Sequence, residues 1–183
     1  SRKRVHESEI DIFQVLPQSL RMQVHWEVYN EVLKPHPLFS NFYEVGDACL
    51  LEICNTAMTE LSLSTSQELF TYGQSGMSMY FLWSGELDYF HRSEDKKTDT
   101  LTKGQLSSWC SEASLWLKWE HQGRLVAMSH SEFAVLSAHA FRRLCSEWVE
   151  LHNVCKVYAK KFHEVMQNLD EDIPVDIWDF MTG

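Results

Sequence analysis

The chain lacks the residue spacings that mark most small functional sites. Its five cysteines, Cys49, Cys54, Cys110, Cys145 and Cys155, form no Cys-x-x-Cys pair and no zinc spacing. An odd, irregular set of this kind reads as reduced, buried thiols rather than a disulfide framework. No His-x-His pair occurs, so a cupin-like metal enzyme would have no evident ligand set. No nucleophile, base and acid group together either, which argues against an enzyme. His152 and Cys155 share helical spacing, but no further metal ligands accompany them.

Basic residues are also scarce, 16 against 26 acidic, for a net charge of −10. Nucleic acid and anionic membrane surfaces are therefore poor partners. The cluster Ser1-Arg2-Lys3-Arg4 is a short exception and reads as a solvated end. No run approaches the roughly 20 apolar residues needed to cross a bilayer, and nothing resembles a signal peptide. A soluble chain is expected, with membrane attachment only through a parent protein. There is no internal repeat and no low-complexity segment.

What is present is a core. With 183 residues, 44% apolar and 13% aromatic, the chain is long enough for one well-packed domain. Seven tryptophans argue against disorder.

Periodicity divides the chain into helices, then strands, then helices. Glu7 to Leu16 reads as a short helical segment, with Ile10, Phe13 and Leu16 on one side. Pro17 suits the start of a second helix, in which Leu20, Val24 and Val28 repeat at helical spacing. Pro35-His36-Pro37 ends it, and Leu38, Phe39 and Phe42 are expected to plug the next unit. A further helix is expected from Asp47 to about Ala57. The runs Glu68–Tyr72, Met79–Trp83 and Leu87–Phe90 are short, aromatic-rich and divided by Gly-containing turns, which suggests a small β-roll. Leu125–Met128 and Glu132–Leu136 read as closing strands, with a short helix at Ala113–Trp119 before them. From Ala138 the pattern is helical again, through Phe141, Leu144, Leu151, Cys155, Tyr158, Phe162 and Val165.

Particular residues give this order a family. Leu16-Pro17-Gln18-Ser19-Leu20-Arg21 and Leu33-Lys34-Pro35-His36-Pro37-Leu38-Phe39 are similar to the end of the linker that joins pore to sensor in certain channels. Tyr72-Gly73 and Met79-Tyr80-Phe81-Leu82-Trp83-Ser84-Gly85-Glu86-Leu87 look like a strand-turn-strand signature of the roll. Cys110-Ser111-Glu112-Ala113-Ser114-Leu115, followed by Gly123-Arg124-Leu125-Val126-Ala127-Met128, looks like a nucleotide-holding turn. Together, over roughly Ser8 to Gln167, they resemble the cyclic-nucleotide-binding domain at the cytosolic end of hyperpolarisation-activated, cyclic-nucleotide-gated and ether-à-go-go-type cation channels.

The resemblance implies an α+β fold: an antiparallel, jelly-roll-like β-roll flanked by N-terminal linker helices and two C-terminal helices. Linker-like helices would span 1–37, the domain 38–169 and a tail 170–183. It implies a nucleotide pocket at Ser111, Glu112, Ala113, Ser114, His121, Gln122 and Arg124, and a lid at Tyr158, Phe162 and Met166. The family pattern has glycine where Ser111 stands and arginine where His121 falls, with Gln122 beside it. A cyclic phosphate is held by backbone amides at a helix start and a bidentate guanidinium. Losing that guanidinium costs about 1.5–3 kcal/mol, roughly one to two decades of affinity. Arg124 could substitute only by folding back.

Plainer readings stand beside these. Glu112 could simply face a helix dipole, His121 could be a solvated loop residue, and Trp109, Trp116 and Trp119 could be core anchors. Ether-à-go-go-like channels fill the pocket with their own segment after the last helix. Here the tail around Val175-Asp176-Ile177-Trp178-Asp179-Phe180 stands in a similar place, with Ile177, Trp178 and Asp179 as the expected intrinsic ligand. The expected function is regulatory and non-enzymatic, in the cytoplasmic part of a membrane protein, with no cofactor and weak or no cAMP or cGMP binding. Neighbouring subunits of a homotetrameric channel are the expected partners. The alternatives are a working cyclic-nucleotide or nucleoside sensor of an exchanger or of a kinase regulatory subunit.

Overall fold

The structure is a computed structural model that describes residues 15–45, 47–92, 96–103, 108–170 and 173–177. Most of the expected helix at Glu7–Leu16 lies outside the described residues. Helix α1 runs Gln18–Leu33, α2 Pro37–Val45 and α3 Asp47–Thr56. Pro17 stands at the N-cap of α1, where its missing donor costs nothing. His36 starts α2, because its Nδ1 accepts the Leu38 amide at 3.2 Å.

Among the described residues eight strands follow: β1 Met58–Leu63, β2 Glu68–Phe70, β3 Ser78–Ser84, β4 Glu86–His91, β5 Asp99–Thr102, β6 Trp109–Cys110, β7 Gly123–Ala127 and β8 Ser131–Ser137. They form two antiparallel four-stranded sheets, ordered β1-β8-β3-β6 and β2-β7-β4-β5. A short helix α4, Ala113–Trp116, separates β6 from β7, and α5 (Ala138–Glu147) and α6 (Val149–Met166) close the chain. The fold is therefore α+β, a β-roll with helices at both ends.

Two apolar clusters explain the aromatic runs. Along β3 the side chains alternate between them, with Met79, Phe81 and Trp83 in the helix-side cluster. Leu82 packs instead between the two sheets, with Leu87, Tyr89, Leu125 and Phe133. Both faces of this strand are covered, so it reads as a continuous apolar run rather than an alternating one. Leu38, Phe39 and Phe42 are buried in the helix-side cluster. Ser137 ends β8 and also caps α5, its side chain accepting the Ala140 amide, a contribution of about 1 kcal/mol.

The differences from the sequence reading concern short elements. β1, β5 and β6 carry little alternation and are not evident in the sequence. Helix α4 ends at Trp116 rather than Trp119, because Leu117 turns extended (φ −122°, ψ 161°). That early end shapes the site.

Candidate functional site

The segment after α4 is held straight by the loop opposite it. The Gly76 amide donates to Trp119 O, the His121 amide to Gln74 O and the Gly73 amide to His121 O, each at 2.9 Å. In this extended stretch Trp119 and His121 project to the same side, as residues two apart must. The His121 ring stacks on Phe70, with centroids 3.8 Å apart and planes 4° apart. It is buried, not solvated.

Asp176 fills the space these residues face. It belongs to a single 3-10 turn, Val175–Ile177, and is 0% exposed. Oδ1 accepts from Trp119 Nε1 at 2.8 Å and lies 2.9 Å from His121 Nδ1. Oδ2 accepts from the Tyr89 hydroxyl at 2.9 Å, the Gln122 amide at 2.7 Å and the Gly123 amide at 3.1 Å. The Ser111 amide donates to the main-chain oxygen of Asp176. Two successive amides, an indole, a phenol and an imidazole thus hold one carboxylate without lysine or arginine. Hydrogen bonds to a buried charge of this kind contribute about 1.5–3 kcal/mol each before desolvation is subtracted.

The surroundings carry the mark of that charge. Burial, then the charge and hydrogen bond of Asp176, push the Tyr89 phenol well above its ordinary range. Burial, reinforced by Asp176, does the same to the Cys110 thiol. Gly123 is needed for close approach, because a Cβ there would stand 2.3 Å from Phe90 O and 2.6 Å from the Tyr89 ring.

The remaining expected pocket residues are placed as follows. Ser111 adopts φ 65°, a left-handed conformation in which a non-glycine residue is strained. Its hydroxyl meets that of Ser114 at 2.9 Å. Ala113 and Ser114 are fully buried in α4, whose last carbonyls are capped by Arg142 from α5, 3.0 Å from Ser114 O. Glu112 turns toward the start of α2. Its Oε2 lies 3.3 Å from His36 Nε2, off the line of a hydrogen bond, and its Oε1 accepts from Trp116 Nε1 at 3.4 Å. Arg124 points away from the pocket, over the Phe90 ring at 4.1 Å and toward Glu68 at 3.8 Å. Strand alternation sends Gly123 and Leu125 inward and Arg124 outward. Gln122 contributes its amide, while its side chain reaches Glu120 O.

Among the expected lid residues, Tyr158 packs on Trp116 and His36, with centroids at 5.5 and 6.2 Å. Phe162 is buried in the same helix-side cluster, and Met166 packs against it half-buried. In the tail, Ile177 joins the cluster between the sheets, and Trp178 and Asp179 lie outside the described residues.

Residues 60–147 match the family model of the cyclic nucleotide-binding domain. This supports a cyclic-nucleotide-binding domain over the roll and α5. Comparison with curated proteins finds no match. The matched span ends at Glu147, so α6 and the tail turn lie beyond it. The residues expected to form the pocket, Ser111 to Arg124, lie inside the match, and Asp176 lies outside it. Tyr89, Trp119, Gly123 and Asp176 are absent from the sequence-derived pocket. Only Asp176 had a local signal, a carboxylate between two apolar residues in the tail. No described residues form a group of three or more metal-ligating side chains, and no described helix is long and apolar enough to cross a membrane.

Proposed function

We propose that this cyclic-nucleotide-binding domain is a non-enzymatic regulatory module, the cytosolic part of a cation channel, whose pocket is occupied by its own tail. In this reading cAMP and cGMP bind weakly or not at all. The observation that carries it is the Asp176 carboxylate, held by five donors around His121, the position where the family pattern places arginine. An anion already sits against the donors that a cyclic phosphate would need. Glu112, the expected ribose partner, is turned to His36.

The channel part of the reading rests on the prelude. α6 packs on α2, and α1 packs on α3 and β3. A change in tail docking would therefore reach the linker-like helices through packed elements. α1 and α3 leave an open, largely apolar groove of about 740 Å³ lined by Leu16, Leu20, Val24, Trp26 and Leu51. Such a groove suits contact with a neighbouring subunit. Regulation is then an equilibrium between docked and released tail, shifted by whatever binds one state better.

Calorimetric titration of the unmodified chain with cAMP and cGMP tests the pocket. No saturable heat up to about 1 mM, a binding free energy weaker than about −4 kcal/mol, is expected. Micromolar binding by the unmodified chain would overturn the occupied-pocket reading. Patch recording of the full-length protein tests the host. Asp176→Ala should shift gating, and a protein that carries no current is not a channel.

A further inference from the structure

We propose that Cys145 and Cys155 form an oxidation site, a thiol pair that a peroxide closes to an intramolecular disulfide. The two Sγ atoms are 3.4 Å apart. Cys145 lies in the last turns of α5 and Cys155 in the second turn of α6, so the pair bridges the joint at Trp148. That joint is one extended residue (φ −111°, ψ 116°) between two helices. Cys145 is half-buried and reachable, whereas Cys155 is buried, with 5% exposed.

The pair has the asymmetry that stepwise oxidation needs. The hydrogen bond between the two sulfurs holds the Cys145 thiol below its ordinary range, against its burial. The same bond and burial hold the Cys155 thiol far above it, with smaller contributions from the charges of Cys145 and Cys49. The reachable sulfur thus ionises more readily than the buried one.

The chemistry follows without a further reagent. The Cys145 thiolate attacks one peroxide oxygen, the O–O bond breaks, and the departing hydroxide takes up a proton as water. This leaves a sulfenic acid on Cys145. Cys155 sulfur then attacks Cys145 sulfur, the S–S bond forms, the S–O bond breaks, and the Cys155 proton leaves with the hydroxyl as water. Two thiols and one peroxide give one disulfide and two waters. The sulfurs close from 3.4 Å to about 2.05 Å in the disulfide.

The bond would staple α5 to α6 across their only joint and fix the start of the helix that leads to Asp176. Oxidation would then restrain tail release, whatever ligand the pocket takes.

The test is peroxide treatment of the folded full chain, alkylation of free thiols and peptide mass spectrometry. The expected result is loss of two free thiols and a cross-linked peptide pair joining Cys145 to Cys155. Cys145→Ser should keep its remaining thiols free. Cys155→Ser should stop at a sulfenic acid on Cys145, trapped by dimedone. Five free thiols after treatment, or a bridge from Cys155 to Cys49, would overturn the proposal. The unmodified chain alone decides this, even if a serine variant folds poorly.

Discussion

His121 Nδ1 lies 2.9 Å from Asp176 Oδ1, with both side chains buried. The two residues are 55 apart in sequence, and their meeting brings the tail under the roll. Around them every polar atom of the carboxylate is engaged, so the contact is a built site rather than a chance docking. Its energetic weight follows from what would be left behind without it.

Asp176→Ala strands an indole, a phenol, an imidazole and two amides in a space closed to solvent. Each unpaired buried donor costs about 1–3 kcal/mol, partly relieved by water entering the cavity, so a net loss near 3 kcal/mol is expected. For a domain of this size that lowers Tm by about 6–12 °C. Asp176→Gly should lose as much and recover part of it in tens of millimolar formate, a free carboxylate that fits the same donors. A thermal melt reads both effects. A change below about 2 °C would mean that the tail is docked loosely and holds nothing together.

His121→Arg separates two reasons for the proposed weak nucleotide binding. If only the guanidinium were missing, the single substitution would restore about one to two decades of affinity. With Asp176 in place, the new guanidinium should pair with that carboxylate, and the site stays closed. The expected outcome is therefore no gain for His121→Arg alone and a measurable gain of cAMP binding for His121→Arg with Asp176→Ala. Calorimetry on the three variants decides it. Binding by the single variant would show that the tail yields easily.

How much of this was legible beforehand depends on the range of the signals. The β3 run, the helix starting after Pro17 and the stripe of α6 announce themselves by period and punctuation, because each is decided by its own residues. β5 and β6 do not. They are short, and their place is fixed by neighbours, β6 by pairing with β3 at Tyr80 and Phe81. The site divides the same way. Glu112 and His121 stand out from motif spacing, but their partners are set by tertiary contacts: His36 for one, Asp176 for the other. The inward neighbours Gly123 and Tyr89 carry no local sign of function. The tail was marked by composition, yet which of its carboxylates turns inward depends on the 3-10 turn at Val175–Ile177. That turn is not encoded in a periodic pattern.

Alkaline pH should expose the buried phenols. Burial and Asp176 hold Tyr89 above its ordinary range, and burial pushes Tyr80 up to about 12. In the unfolded chain both ionise near pH 10. Because the folded values are the higher ones, this contribution to stability is complete below about pH 10. It is lost as pH rises further, at up to about 1.4 kcal/mol per pH unit for each tyrosine. Tyr89→Phe should therefore be less stable at pH 8, by about 1–1.5 kcal/mol for the missing hydrogen bond. It should also lose stability less steeply above pH 10. Urea unfolding at pH 8, 10 and 11 measures both, and parallel profiles for the two proteins would rule out a buried Tyr89 phenol.

Glu112 offers the last distinction, between a ribose contact and a structural tie. His36 Nδ1 accepts the Leu38 amide, so the neutral ring carries its proton on Nε2, the atom that faces Glu112. Both side chains are buried, and neither faces the Asp176 cradle. Glu112→Ala should then cost about 1–3 kcal/mol of stability, since it removes the carboxylate that faces His36 and leaves the Trp116 indole without its acceptor. Glu112→Gln, which keeps an acceptor oxygen, should cost less than half of that. In the background of His121→Arg with Asp176→Ala, neither change should move cAMP affinity more than about twofold, which is about 0.4 kcal/mol. A tenfold loss of affinity with stability unchanged would return Glu112 to the nucleotide. It would also mean that the side chain leaves His36 when the tail is gone, tying the pocket directly to the helices before it.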